Sequence, residues 1–240
     1  MSSTRVSGAA PLIAWLGAAL FAASLLWFAY SYLVRYGAAA PGPTLLPILV
    51  NLALFSVFAI HHSALARSGA KAWMTARVPP ALERSLYTWI ASILFIMVCT
   101  LWQPVPGLIY RFDGVWAVPF YAIQALGVVL TLRGAAAVDP LDLAGVRPVL
   151  GDAPRAIPRP AVLETSGIYS VVRHPVYFAW VLMVFGSPAM TGTRACFAII
   201  STLYIAIAIP FEERSLVERF GRDYEQYQRK VRWRLLPGIY

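Results

Sequence analysis

The stretch RHPVYFAWVLMVFGSPAMTGTRACFAIISTLYIAIAIPFEE, Arg173 to Glu213, decides how the chain folds. Two apolar limbs, Pro175 to Met190 and Ala195 to Phe211, flank a tip, GSPAMTGTR, where Gly, Pro and Thr punctuate the chain. Proline suits the first turn of a helix, because the amide hydrogen it lacks would be unbonded there. Pro175 therefore fixes the start of the first limb, just after Arg173 and His174. The limbs are nearly equal in length, so a hairpin returns Glu212 and Glu213 to the depth of Arg173 and His174. Opposite charges distant in sequence then meet at one face.

Composition says what the hairpin crosses. The 240 residues are 59% hydrophobic and 13% charged, with a mean hydropathy of +0.65, which is a membrane composition. The net charge of +9 is carried almost wholly by Arg. These residues sit between apolar runs rather than on one polar face, which excludes nucleic acid and points to bilayer orientation and lipid headgroups. Cys99 and Cys196 both lie inside apolar runs, so neither a disulfide framework nor a cysteine metal site is expected. No Gly-rich phosphate loop is visible.

Four further spans follow from charge-free runs long enough to cross about 30 Å of hydrocarbon: Pro11 to Val34, Leu45 to Ala66, Leu86 to Tyr110 and Val115 to Leu132. Arg67, Lys71, Arg77 and Arg84 follow span two, and Arg133, Arg147, Arg155, Arg159 and Arg173 follow span four. The other connections carry only Arg35, Arg111 and Arg194. Six spans with both termini cytoplasmic satisfy the positive-inside bias. GAAAPGP after span one resembles a signal cleavage site, but the apolar run before it is too long, and it reads as an anchor.

The polar loop from Arg133 to Ser170 is expected over the cytoplasmic mouth. After Glu212, Leu216, Phe220, Tyr224, Tyr227 and Val231 recur at three- and four-residue spacing, one apolar stripe on a tail helix lying on the membrane or the bundle. The expected fold is all-α: a polytopic membrane bundle of about six transmembrane helices with a C-terminal amphipathic helix. Residues 1–132 form a four-helix transmembrane region, and residues 133–240 form the loop, hairpin and tail.

Two readings of the charged face stand at this point. Arg173 and His174 beside a helix N-terminus, opposite two glutamates, could hold a zwitterion. Alternatively Arg173 is an interfacial anchor, and the glutamates favour the start of the tail helix through its dipole.

RHPVY, an apolar hairpin and EERSLVERFGRDYEQYQRKV, in that order, resemble the signature of the membrane-embedded isoprenylcysteine carboxyl methyltransferase and phospholipid methyltransferase superfamily. The resemblance covers the last third of the chain. It implies an S-adenosyl-L-methionine pocket between the RHP helix start and the Glu pair, roofed by the tail helix. His174, Tyr177, Glu212 and Glu213 would then be cofactor-binding residues, with Arg173 supporting them. The chain departs from the pattern at Ala179, where Gly is frequent, and at Arg232, where Pro often follows the tail valine. NLALFSVFAIHHSALARSGAKAWMTARVPPALERSLYTW, WQPVPGLIY and VDPLDLAGVR resemble the bacterial methanethiol S-methyltransferases within this superfamily.

Those resemblances imply a membrane methyltransferase of the bacterial inner membrane whose partners are lipid and a small or lipophilic methyl acceptor. A thiol is favoured. A carboxylate on an isoprenylcysteine-like molecule and a lipid amine are the alternatives. A thiol must lose its proton, and His61 or His62 could take it as a catalytic base, whereas a carboxylate needs none. Interfacial histidines are the plain alternative for this pair, and without a third ligand they make no metal site. Glu83 and Arg84 read as a local ion pair or a helix start. A non-catalytic scaffold or a transporter is the rival class, but the chain lacks the internal repeat and mid-membrane charges of many transporters.

Overall fold

The computed structural model describes residues 8–65, 76–137, 140–150 and 163–240, and most of the loop centred on Arg155 lies outside them. Among the described residues five helices are long and apolar enough to cross a bilayer, and the protein is an integral membrane protein. Their outward faces carry Leu26, Ile60, Leu132 and Ile207, all exposed, as lipid contact requires. The chain divides into two compact units, Met1–Val105 with Val138–Ile157, and Pro106–Ala137 with Pro158–Tyr240.

The first unit contains α1 (Ala10–Leu33), α2 (Leu45–Leu65) and α3 (Glu83–Leu101). α1 meets α3 where Gly17 leaves room for Trp89, whose indole N–H donates to the Ile13 carbonyl at 2.9 Å. Phe95 of α3 packs against Phe28 of α1 and Phe58 of α2, with ring centres 5.5 and 5.2 Å apart. Pro104 and Pro106 cannot continue a helix ladder, so the third span ends at Leu101 rather than at the expected Tyr110. The buried Asn51 side chain pairs with both backbone groups of Gln103 just beyond that end, at 2.9 and 2.7 Å. Two short helices, α4 (Val118–Ala137) aside because it belongs to the second unit, complete the first: α5 (Pro140–Leu143) and α6 (Arg147–Leu150). Ala144, Val146 and Val149 bury against Ala10 and Ala14 there. Glu83 opens α3, the helix-start reading of this pair, while Arg84 reaches Asp142 at 3.1 Å rather than its neighbour.

In the second unit α4 packs on α7 (Pro175–Phe185), a contact that crosses the 132/133 division drawn from sequence. The close approach needs small residues on α4. A Cβ at Gly127 would lie 2.6 Å from the Ala179 carbonyl oxygen and the Met183 nitrogen. The fifth span, expected to run to Met190, is helical only to Phe185, about 16 Å at the usual rise. Beyond it Ala189–Thr191 is a strand, β2, antiparallel to β1 (Leu108–Arg111). The ribbon gives the backbone beyond Phe185 hydrogen-bond partners that the helix no longer supplies.

α8 (Gly192–Phe220) begins with the Thr191 hydroxyl accepting from the Arg194 amide at 3.2 Å. It runs far past the expected Phe211, and Gly221, at φ 56°, separates it from α9 (Arg222–Lys230). The expected single tail helix is therefore two. The five stripe residues nevertheless form one cluster, joined by Leu163, Tyr169 and Val217.

Candidate functional site

Pro210 lies inside α8 and donates no hydrogen bond to the carbonyl four residues back. That carbonyl, of Ala206, instead accepts from the Tyr240 hydroxyl at 3.3 Å. Less than one turn past Pro210, the helix presents Glu212 and Glu213.

Glu213 is the hub. Its side chain is 4% exposed, and Arg173, 6% exposed, donates from Nε to Oε1 at 2.6 Å. Arg234 donates from Nε to Oε2 at 3.1 Å, and Gln228 Nε2 to the same oxygen at 3.3 Å. The Tyr224 hydroxyl reaches Oε1 at 3.5 Å. Arg173 spends Nη1 on the carbonyls of Val231 and Arg232, at 2.6 and 3.0 Å. The backbone amides of Arg173 and His174 donate to the carbonyls of Trp233 and Arg234, both at 2.9 Å. The segment after α9 is thus laced along the turn that precedes Pro175. A buried ion pair is tolerated only with such full hydrogen bonding.

His174 stands between the carboxylates. Its Nε2 is 3.4 Å from Glu213 Oε1, and its Nδ1 is 3.7 Å from Glu212 Oε2. Its ring stacks on Tyr177, centres 5.5 Å apart. The Tyr177 hydroxyl donates to Glu212 Oε2 at 2.9 Å. Glu212, unlike Glu213, is 43% exposed and open to a ligand.

Burial, then the Glu213 charge, holds the Tyr224 hydroxyl well above the usual tyrosine range. Burial pushes Tyr227 up to about 12, and its hydroxyl donates to the Tyr169 carbonyl at 2.7 Å. Both therefore remain protonated donors at neutral pH.

Arg173, His174, Tyr177, Glu212 and Glu213 all gather in this one cluster of the second unit. His61 and His62 belong to the first unit. There the Tyr87 hydroxyl bonds His62 Nδ1 at 2.8 Å, while both ring nitrogens of His61 are buried with no hydrogen-bond partner among the described residues. Sequence reasoning missed Arg234, Gln228 and Tyr240. The signal for the first and last was the Pro237–Gly238 turn, with Gly238 at φ 84°, which folds RWRLLPGIY back on itself. Leu235 and Leu236 amides both donate to the Tyr240 carbonyl there, at 2.8 and 3.0 Å.

The family model described as phospholipid methyltransferase matches residues 150–223. The chain is 36% identical to a methanethiol S-methyltransferase of Crocosphaera subtropica, over 80% of this chain and 75% of that protein. It is 33% identical to methanethiol S-methyltransferase 2 of Bradyrhizobium diazoefficiens, over 92% of this chain and 87% of that one. With a methanethiol S-methyltransferase of Mycobacterium tuberculosis the identity is 35%, over 79% and 78% of the two chains. No solved structure matches.

Proposed function

This chain belongs to the family of membrane methyltransferases that holds the methanethiol S-methyltransferases, and we propose that it transfers a methyl group from S-adenosyl-L-methionine to a small thiol such as methanethiol. The observation that carries the donor half is the cluster around Glu212 and Glu213. S-adenosyl-L-methionine ends in an ammonium and a carboxylate. The half-exposed Glu212, held by Tyr177 and beside His174, fits the ammonium. Bound there, the donor supplies an electrophilic methyl group on a sulfonium.

The residues divide the work. Glu213 receives no ligand of its own; it holds Arg173, His174 and Arg234 in place. His174 and Tyr177 form a flat wall beside Glu212. Residues 133–240 accordingly carry the donor region. A thiol acceptor has to surrender its proton before its sulfur is a good nucleophile. His61 and His62 are the candidates to take that proton, and the Tyr87 hydroxyl already bonds His62 Nδ1. The chemistry otherwise asks for positioning and exclusion of water. Basic loops after spans two and four support a bacterial inner-membrane location with both termini cytoplasmic.

The test is purified protein in detergent with methyl-labelled S-adenosyl-L-methionine and methanethiol, reading labelled dimethyl sulfide in the headspace. Labelled dimethyl sulfide formed by the wild-type protein, and lost in Glu212→Ala, supports the reading. Label appearing instead on a prenylcysteine carboxylate or a lipid amine would overturn the thiol assignment.

A further inference from the structure

An amino-acid ligand needs a cation for its carboxylate as well as an anion for its ammonium. Three basic side chains surround Glu213, and they are not equally available. Arg173 is 6% exposed, with Nε and Nη1 committed to Glu213 and two backbone carbonyls. The His174 side chain is 5% exposed and lies between two carboxylates, a poor setting for a third. Arg234 differs. Its side chain is 36% exposed, and only two of its nitrogens are engaged, Nε by Glu213 and Nη1 by the Tyr240 hydroxyl at 3.2 Å. Its Nη2 has no partner among the described residues.

Charge points the same way. One Glu213 carboxylate serves two guanidiniums, Arg173 and Arg234, which leaves that trio one positive charge in surplus. The compensating charge is Glu212, the neighbouring residue, whose carboxylate is half-exposed. The cluster thus shows solvent one anion and one cation, the complement of a zwitterionic amino acid. Arg234 is also preorganised: the hydroxyl that holds its Nη1 is fixed on the Ala206 carbonyl, and its guanidinium lies over the Tyr240 ring, 5.3 Å from the centre.

We infer that Arg234 is the residue that binds the carboxylate of the methyl donor's amino-acid end, held in place by Tyr240. This inference rests on the donor reading above. A guanidinium offers a carboxylate a charge-assisted hydrogen bond that an ammonium-only ligand cannot use.

The test compares two ligands by calorimetry on the full-length protein in detergent: S-adenosyl-L-methionine and its decarboxylated analogue. Wild type should bind the carboxylated donor about ten- to a hundredfold more tightly, the range expected for one charged hydrogen bond. Arg234→Gln should erase that difference by weakening only the carboxylated donor, and Arg234→Lys should restore part of it. Equal weakening for both ligands marks a merely structural role and overturns the inference. So does equal binding of both by wild type, a result that needs no variant to fold. If wild type binds neither ligand, the donor reading itself falls, and the inference with it.

Discussion

Replacing Glu213 by Gln keeps shape and removes one charge, so it isolates what the buried carboxylate does. In the wild type its two oxygens accept from Arg173 at 2.6 Å and Arg234 at 3.1 Å. The Arg173 pair is almost fully buried on both sides, and breaking such a pair costs about 3–5 kcal/mol, because one ion is left uncompensated. Arg173 keeps its bonds to the Val231 and Arg232 carbonyls, which puts the loss at the lower end of that range. Arg234 is partly exposed, and solvent screening reduces its share to about 1 kcal/mol or less. A total of roughly 3–4 kcal/mol lowers the melting temperature of a chain this size by on the order of 10 °C. Tryptophan fluorescence on the detergent-solubilised protein reads it. Arg173→Gln and the double variant complete a cycle in which the two losses should overlap by about 1–3 kcal/mol. A Glu213→Gln protein melting within 2 °C of wild type, with additive single losses, would refute the idea that this ion pair secures the cluster.

Three other outcomes follow from the fold. Gly127→Ala places a methyl group against backbone atoms of α7 that cannot rotate away, so it should destabilise by about 1–3 kcal/mol in the same melting assay. Asn51→Leu leaves the Gln103 amide and carbonyl without their side-chain partner and should cost about 1–3 kcal/mol for each group that water cannot reach. Because burial raises Tyr227 from 10.0 to about 12, the folded state keeps a proton that the unfolded chain gives up. Its contribution is complete below pH 10 and is lost as pH rises to about 12, and Tyr227→Phe should flatten that alkaline decline in melting temperature.

Much of this was legible because a bilayer leaves few choices. Charge-free runs located the long helices, though the ends of the third and last differ from the charge-free limits by nine residues, and Pro175 with the Glu pair located the cluster before any geometry was known. What escaped has physical causes. The β1–β2 ribbon is held by backbone bonds between segments far apart in sequence, which no local periodicity announces. The break at Gly221 hid because a stripe of apolar residues continues across it. Ala179 stands where a smaller residue was expected, and the room is supplied from the opposite helix by Gly127. Arg234 looked like one more basic residue near a membrane face; only the fold shows which of those arginines meets a buried carboxylate.

The repair of the Pro210 break by Tyr240 bears on how the protein is made. A ribosome delivers α8 to the membrane, with its stranded Ala206 carbonyl and its buried acid, before Arg234 or Tyr240 exists. Arg173 is already present by then and can neutralise the acid while the helix waits. The long spans precede the closing segment, and their apolar length, rather than that segment, is what suits them to the bilayer. A chain cut or stalled between Gly221 and Arg234 therefore keeps its place in the bilayer while lacking the lacing that completes the cluster, so that insertion and competence become separate stages of its biogenesis.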